Sequence, residues 1–126
     1  NLPIATTSTD YMIEDKKRNI WITKGENGLY KISDKKKVTH YLKDEKGITI
    51  VDFCEDLNGN IYVGTMGKGL FVYDQLSDSF KPIPYKGKQN LPIKSLYPDN
   101  QNELYIGTDG KGMKELSIAI NSATTQ

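Results

Sequence analysis

One stretch of the chain, repeated three times, constrains the fold more than any other feature. Its middle copy is residues 55–73, which read EDLNGNIYVGTMGKGLFVY. An acidic turn precedes a short apolar segment, and a glycine-rich turn precedes a second one. Asn58-Gly59 is a strong hairpin signal, because a type I′ turn needs positive φ at both central residues. The stretch therefore predicts two β-strands and two tight turns.

The copies follow one another at a nearly constant period. The turn aspartates are separated by 41 and then 43 residues, and the glycine before the later strand keeps both offsets: Asp15, Asp56 and Asp99; Gly28, Gly69 and Gly112. A fixed period that keeps turns and apolar positions together indicates repeated supersecondary units. Such units bury their faces only against each other.

Each copy is predicted to form four short antiparallel strands. No segment shows helical periodicity of useful length, and Pro82 and Pro84 mark a fourth strand as an edge. The runs Ile20–Ile22, Ile61–Val63 and Leu104–Ile106 are apolar on both sides, as in sheets covered on both faces. We therefore predict an all-β fold, a partial β-propeller of three four-stranded antiparallel blades. The blades approximate residues 10–43, 49–86 and 92–126, and residues 1–9 are a candidate closing strand.

Three blades are fewer than the four to eight that close a propeller ring. One blade face of four strands covers on the order of 300 Å². Two open apolar faces would forgo roughly 15 kcal/mol at ~25 cal/mol per Å². We therefore expect further blades in a longer parent chain, or a homo-oligomer, to cover the open faces. The start at Asn1 rather than Met is likewise expected of an excised piece.

The charge and cysteine content exclude several classes of function. Seventeen Lys and Arg residues nearly cancel sixteen Asp and Glu residues, so neither nucleic acid nor an anionic membrane is indicated as a partner. The basic runs 16–18 and 35–37 are interpreted as solvated turn tips. The single Cys54 rules out a disulfide within the chain and a multi-cysteine metal cluster. No apolar run is long enough to span a bilayer.

No catalytic constellation is found, and no cofactor or metal is predicted. His40 is the only histidine and is interpreted as a strand residue, while Cys54 aligns with apolar positions and is interpreted as part of the core. The turn at Asp56 looks like part of a calcium loop, but no bidentate acid follows at the right distance. We interpret the three aspartates as turn-forming residues.

A binding surface is predicted from the architecture rather than from a motif. Trp21, Tyr62 and Tyr105 occupy one equivalent position, which favours packing between blades over a sugar-stacking platform. In a four-strand meander, the loops between the second and third strands lie on one rim of the propeller. The connections before each first strand lie on the same rim, which is here named the upper rim. Such loops commonly bind ligands. The candidate ligand-binding residues on this rim are Lys24, Glu26, Asn27, Met66, Lys68, Asp109 and Lys111.

The three copies resemble the two-component regulator propeller repeat. They read MIEDKKRNIWITKGENGLYKI, FCEDLNGNIYVGTMGKGLFVY and LYPDNQNELYIGTDGKGMKEL. The family pattern is an Ile-x-Glu-Asp turn, then Gly-Asn-Ile-Trp-Ile-Gly-Thr, then Gly-Leu and an aromatic. The middle copy fits best, with Tyr62 in place of Trp. The first copy has Arg18 for the turn glycine, and the third has Pro98-Asp99 for the acidic pair.

The resemblance implies the periplasmic sensor region of a hybrid two-component histidine kinase anchored in the inner membrane. Such a region would detect oligosaccharides and signal to carbohydrate-utilisation genes, and the kinase domains would lie outside this chain. No ligand residue carries over, because the repeat has no consensus ligand position. Two alternatives stay open: a protein-interaction scaffold without a small ligand, and a propeller-based lyase or hydrolase.

Overall fold

The computed structural model describes residues 11–23, 28–42, 49–84, 92–99, 103–108 and 113–117, the last as a strand only. Within these residues the fold is all-β, with no helix. Eleven strands are formed: β1 Met12–Glu14, β2 Ile20–Thr23, β3 Leu29–Ile32, β4 Val38–Tyr41, β5 Ile50–Glu55, β6 Ile61–Thr65, β7 Leu70–Asp74, β8 Ser79–Ile83, β9 Ile93–Pro98, β10 Glu103–Thr108 and β11 Met113–Ser117.

The strands form three antiparallel meanders, one for each sequence copy. β1 to β4 make the first sheet and β5 to β8 the second, each in sequence order. The third sheet contains β9, β10 and β11, with β10 in the middle. The predicted all-β partial propeller is confirmed, and the apolar runs Ile20–Ile22, Ile61–Val63 and Leu104–Ile106 lie within β2, β6 and β10. The fourth strand of the third copy and the closing strand at residues 1–9 lie outside the described residues.

The sheets stack face to face because each central strand is apolar on both sides. Trp21, Leu29 and Tyr41 of the first sheet pack against one face of the second, which presents Phe53, Ile61, Val63 and Phe71. The other face of the second sheet packs against the third through one cluster: Tyr62, Leu70, Val72 and Ile83 with Ile93, Leu96, Leu104 and Ile106. Successive residues of β6 thus contact different neighbours, as the pleat requires. The second sheet is the central blade, covered on both faces.

Equivalent positions show where a neighbouring blade is present. Trp21 and Tyr62 are each 1% exposed, because the next blade covers them. Tyr105, at the same position in the third sheet, is half-buried. Its register partner Tyr97 is 66% exposed. The predicted packing role of this position is confirmed for the first two copies, and the outer face of the third sheet is partly open.

A glycine and a proline lie at positions that suit their backbone properties. Gly64 lies where the second and third sheets meet, and a Cβ at this position would lie 2.7 Å from Ile93 Cγ2. Only glycine therefore allows this approach of the two sheets. Pro82 lies in β8, the outermost strand of its sheet. No further strand follows β8, so the missing backbone N–H of proline is tolerated there.

Candidate functional site

Two of the seven candidate ligand-binding residues lie in the described part of the chain. Met66 is 46% exposed, and its amide donates to the carbonyl of Thr49 at 3.0 Å. This bond places the β6–β7 turn beside the residue before β5, so both connections share the upper rim in this blade. Lys68 is exposed, and its amide donates to Thr65 Oγ1 at 2.9 Å. The remaining candidates lie outside the described residues: Lys24, Glu26, Asn27, Asp109 and Lys111.

The described residues line two grooves on the opposite rim, here named the lower rim, which holds the turns after β1, β3, β5 and β7. The larger groove, about 360 Å³, lies between the first and second blades. The smaller, about 280 Å³, lies between the second and third blades and reaches Tyr97. Sequence reasoning did not single out this rim. The larger groove is lined by polar side chains around an aromatic floor: Asp15, Lys16, Lys17, Asn19, Lys31, Glu55, Asn58, Asn60 and Gln75, with Trp21 and Tyr73.

Asp15 forms the wall of the larger groove and organises the first turn. Its Oδ1 accepts the amides of Lys17 and Asn19, each at 2.9 Å. Its Oδ2 accepts Asn19 Nδ2 at 3.1 Å and the buried Trp21 Nε1 at 2.8 Å. Burial raises the pKa of this carboxyl, but the hydrogen bonds from Trp21, Asn19 and Lys17 outweigh it and hold the pKa below its usual value.

Asp56 repeats the arrangement in the second blade. Its Oδ1 accepts the amides of Asn58 and Asn60 at 2.9 Å, and its Oδ2 accepts Asn60 Nδ2 at 3.0 Å. The Tyr62 hydroxyl replaces the indole donor and reaches Oδ2 at 3.3 Å. In the third copy Asp99 Oδ1 accepts the Glu103 amide at 3.1 Å. The predicted turn-forming role is confirmed, and the described residues contain no group of acids, His and Cys that could hold a metal.

Lys16 and Lys17 join the first blade to the second across the groove. The Lys16 amide donates to Glu55 Oε2 at 3.0 Å, and its ammonium donates to the carbonyls of Asp56 and Leu57 at 3.1 and 2.6 Å. Lys17 Nζ donates to Gln75 Oε1 at 2.7 Å. These cations were predicted to be solvated turn tips. Both lysines are exposed, but they also form hydrogen bonds that connect the first blade to the second. The residues next to them in the sequence give no indication of these hydrogen bonds.

A cluster of four aromatic rings, here named the aromatic box, borders the same groove through Trp21 and Tyr73. Trp21 and Tyr41 of the first blade meet Tyr73 and Phe80 of the second, with ring centroids 5.1 to 5.7 Å apart. Lys31 Nζ lies 5.6, 5.7 and 5.1 Å from the Trp21, Tyr41 and Tyr73 ring centroids. Cations over aromatic faces are attracted by the ring quadrupole. The box therefore already holds a cation from its own chain.

One carboxylate completes the box. Asp78 Oδ1 accepts the hydroxyls of Tyr41 and Tyr73, both at 2.6 Å, and lies 3.7 Å from Lys31 Nζ. The two hydroxyl donors lower the Asp78 pKa. Burial and the Asp78 carboxylate raise the Tyr73 pKa to about 12, so the phenol stays protonated. The signal in the sequence was Lys31 itself, a cation at an inward position of an apolar strand.

The described residues carry no pair of groups suited to acid–base or nucleophilic catalysis. The His40 ring stacks on Tyr30 with centroids 4.1 Å apart and planes inclined by 6°. Cys54 packs against the core between the second and third blades, and burial raises the pKa of its thiol to about 12. A thiol with such a pKa is a poor nucleophile at neutral pH. The lower-rim groove instead links blades, because its cations and amides are engaged by the protein itself.

Stacked antiparallel meanders joined at their rims define a β-propeller protein. Residues 87–110 match the family model described as the two component regulator propeller. The matched residues belong to the third copy, and the match confirms the predicted resemblance of the chain to this repeat.

Solved structures point to the same group. The extracellular domain of a hybrid two-component system from B. thetaiotaomicron is 27% identical over 85% of this chain, with a TM-score of 0.66. The corresponding domain of a one-component system from that organism is 23% identical over 94% of the chain, with a TM-score of 0.67. Streptogramin B lyase is 17% identical over 87% of the chain, with a TM-score of 0.56, and shares the fold alone.

The chain is much shorter than the sensor domains that it resembles. It covers 14% of the hybrid two-component domain, 17% of the one-component domain and 40% of the lyase. A comparison with curated proteins found no match. In the part of the chain that the structure describes, no helix has the length and apolar character to cross a membrane. The chain is thus a propeller fragment similar to extracellular domains of hybrid two-component sensors.

Proposed function

We propose that this chain is part of the extracytoplasmic ligand-sensing propeller of a two-component sensor. The observation that carries the proposal is the regulator-propeller match at residues 87–110, in a chain whose stacked blades resemble a hybrid two-component extracellular domain at 27% identity. In the parent protein, a histidine kinase beyond this segment would receive the signal, and the sensor would be periplasmic and anchored in the inner membrane. The chain itself would perform no catalysis.

We propose an oligosaccharide as the ligand and the upper rim as its site. The sequence of these loops combines amide, cationic and acidic residues at Asn27, Lys68 and Asp109, and in the described part of the rim Lys68 is exposed and Met66 is 46% exposed. Such a mixture suits a polar ligand with many hydroxyl groups better than an apolar or highly charged one. Binding would favour one packing of protomers over another and so regulate carbohydrate-utilisation genes.

The partly open face of the third blade supports the proposal that the complete sensor has a further blade or a second copy packed against it. Tyr62 is covered by the next blade, whereas Tyr105 at the equivalent position is half-buried and Tyr97 beside it is 66% exposed. We propose that further blades of the parent chain, or a second copy, cover this face in the complete sensor. The neighbour would present an apolar face like that formed by Ile61 and Val63.

Isothermal titration of the complete sensor region with a panel of neutral oligosaccharides tests the ligand proposal. We expect saturable heat with one glycan class, weakened by Lys68→Ala on the upper rim. Lys17→Ala on the lower rim is the matched control and should leave the affinity unchanged. No binding to any glycan in the panel, or equal weakening by both variants, contradicts the assignment.

An interaction scaffold is the second candidate. It is favoured by the lower-rim groove, where Lys16, Lys17 and Lys31 contact groups of the protein itself. A scaffold would show no heat with glycans and would retain a protein partner. A lyase or hydrolase gains no support from the lyase neighbour, whose 17% identity indicates the fold alone.

A further inference from the structure

The lower rim separates its charges by blade. In the first blade, segments 14–19 and 33–37 carry six cations against three acids: Lys16, Lys17, Arg18, Lys35, Lys36 and Lys37 against Glu14, Asp15 and Asp34. In the second blade, segments 55–60 and 74–78 carry four acids and no Lys or Arg: Glu55, Asp56, Asp74 and Asp78. The two neighbouring rims therefore have formal charges of +3 and −4, or +4 and −3 when the buried Asp15 and Asp56 are left out.

Two of these cations occupy unfavourable backbone positions. Arg18 has φ 70° and Lys36 has φ 69°, in the left-handed region that favours glycine. The second blade has Gly59 and Asp78 at the equivalent positions, with φ 85° and 53°. Both cations are exposed, and their side chains have no hydrogen bond or ion pair among the described residues. The fold itself therefore gains little from a cation at either position.

The acidic rim also carries exposed apolar side chains. Leu57 is 61% exposed and Leu76 is 98% exposed, each within a turn that contains an acid. Neither leucine belongs to the buried core clusters of the described residues. They could pack against the methylene stems of lysine side chains while the ammonium groups meet the acids.

We propose that two copies of this chain associate lower rim to lower rim about a two-fold axis. The cationic turns of one copy would face the acidic turns of its partner. A two-fold interface uses the same patch twice, so the patch must complement itself. A +3 rim beside a −4 rim meets this condition, whereas a rim of one sign would repel its copy. This surface is distinct from the open blade faces and from the upper rim.

The size of the rim predicts a weak, salt-sensitive contact. Four strands spaced ~4.8 Å apart and two blades ~10 Å apart give about 400 Å² per copy. About 800 Å² in total lies below the roughly 1,200–2,000 Å² of stable specific interfaces, in the range of weak, transient contacts. Because exposed charges dominate the contact, a Debye length that falls from ~10 Å at 0.1 M to ~3 Å at 1 M salt should dissociate it.

Sedimentation velocity of the intact chain at low and high salt tests the proposal. We expect a dimer at low salt whose dissociation constant rises about tenfold or more at high salt. The double variant Arg18→Gly with Lys36→Gly should be monomeric at low salt. Both substitutions place glycine at positive φ, so a loss of dimer cannot be ascribed to a damaged fold. Met66→Gln on the upper rim is the matched control and should dimerise like the original chain.

Two results would overturn the proposal. One is a monomer at low salt at the highest soluble concentration. The other is a dimer that the double glycine variant leaves intact. If Tyr97→Asn dissociates such a dimer, the third blade and not the cationic turns forms the contact.

Discussion

Replacing Asp56 by alanine tests the idea that a buried carboxylate organises each blade turn. Asp56 is 5% exposed and accepts two backbone amides, one carboxamide and the Tyr62 hydroxyl. The variant loses all four interactions and leaves a buried phenol without its acceptor. An unsatisfied buried donor costs about 1–3 kcal/mol, and a hydrogen bond to a charged group contributes about 1.5–3 kcal/mol.

The loss in the free energy of unfolding should be smaller than the sum of these individual hydrogen-bond costs. The amides of Asn58 and Asn60 lie in a partly buried turn, where water can replace some of the lost bonds. We therefore expect Asp56→Ala to lower the free energy of unfolding by about 3 kcal/mol. For a chain of this length, the midpoint of thermal unfolding should fall by about 10 °C. Urea denaturation and thermal circular dichroism measure the two quantities.

A double-mutant cycle isolates the contribution of the aromatic donor. Tyr62→Phe removes the hydroxyl, and in the Asp56→Ala background its cost should be smaller by about 1–2 kcal/mol. Asp34→Ala is the matched control, because Asp34 is an exposed turn aspartate, and it should change stability by less than about 0.5 kcal/mol. If Asp56→Ala costs no more than Asp34→Ala, or the cycle shows no coupling, the turn aspartate does not organise the blade.

Three further outcomes follow from single positions. Asp15 has a lowered pKa in the folded chain, so its stabilisation is complete above its unfolded value of ~3.9 and is lost as pH falls below it; urea unfolding of Asp15→Asn should show a shallower loss below about pH 4. Arg18→Gly and Lys36→Gly should each stabilise the chain by about 0.5–1 kcal/mol, because both residues have positive φ; a lower unfolding midpoint for either would contradict this. Gly64→Ala should destabilise the chain by about 1–3 kcal/mol in the same assay, since its Cβ would collide with Ile93.

The period and the strand positions could be predicted from local sequence. The turn signal at Asn58-Gly59 and the apolar run Ile61–Val63 act over a few residues, so three copies at one spacing specify three meanders without knowledge of distant contacts. The type I′ geometry expected at Asn58-Gly59 was wrong: only Gly59 has positive φ, and its amide donates to the Asp56 carbonyl at 3.1 Å, which makes residues 57 and 58 the central pair of the turn. The apolar character of both faces also predicted stacking, and the burial of Trp21 and Tyr62 confirmed it. The upper-rim site remains a prediction for Met66 and Lys68, because most of its candidate partners lie outside the described residues.

The lower rim could not have been predicted in the same way. Lys17 and Gln75 are separated by 58 residues, and Tyr41 and Asp78 by 37, yet each pair forms a hydrogen bond across two blades. Local pattern assigned Lys16 and Lys17 to solvent because a turn lysine ordinarily lies there. Only the stacking of one blade on another placed acceptors within their reach.

The sequence by itself determined the unit of structure, because turn chemistry and strand alternation are properties of neighbouring residues. The tertiary structure alone decided which unit each face packs against. Lys31 and Asp78 form a contact between two blades, and Asp15 and Trp21 form a hydrogen bond within one blade. The physical reason is distance. The repeat pattern specifies strands and turns through residues that are close together in the sequence. A contact between blades depends on side chains about forty residues apart in the chain.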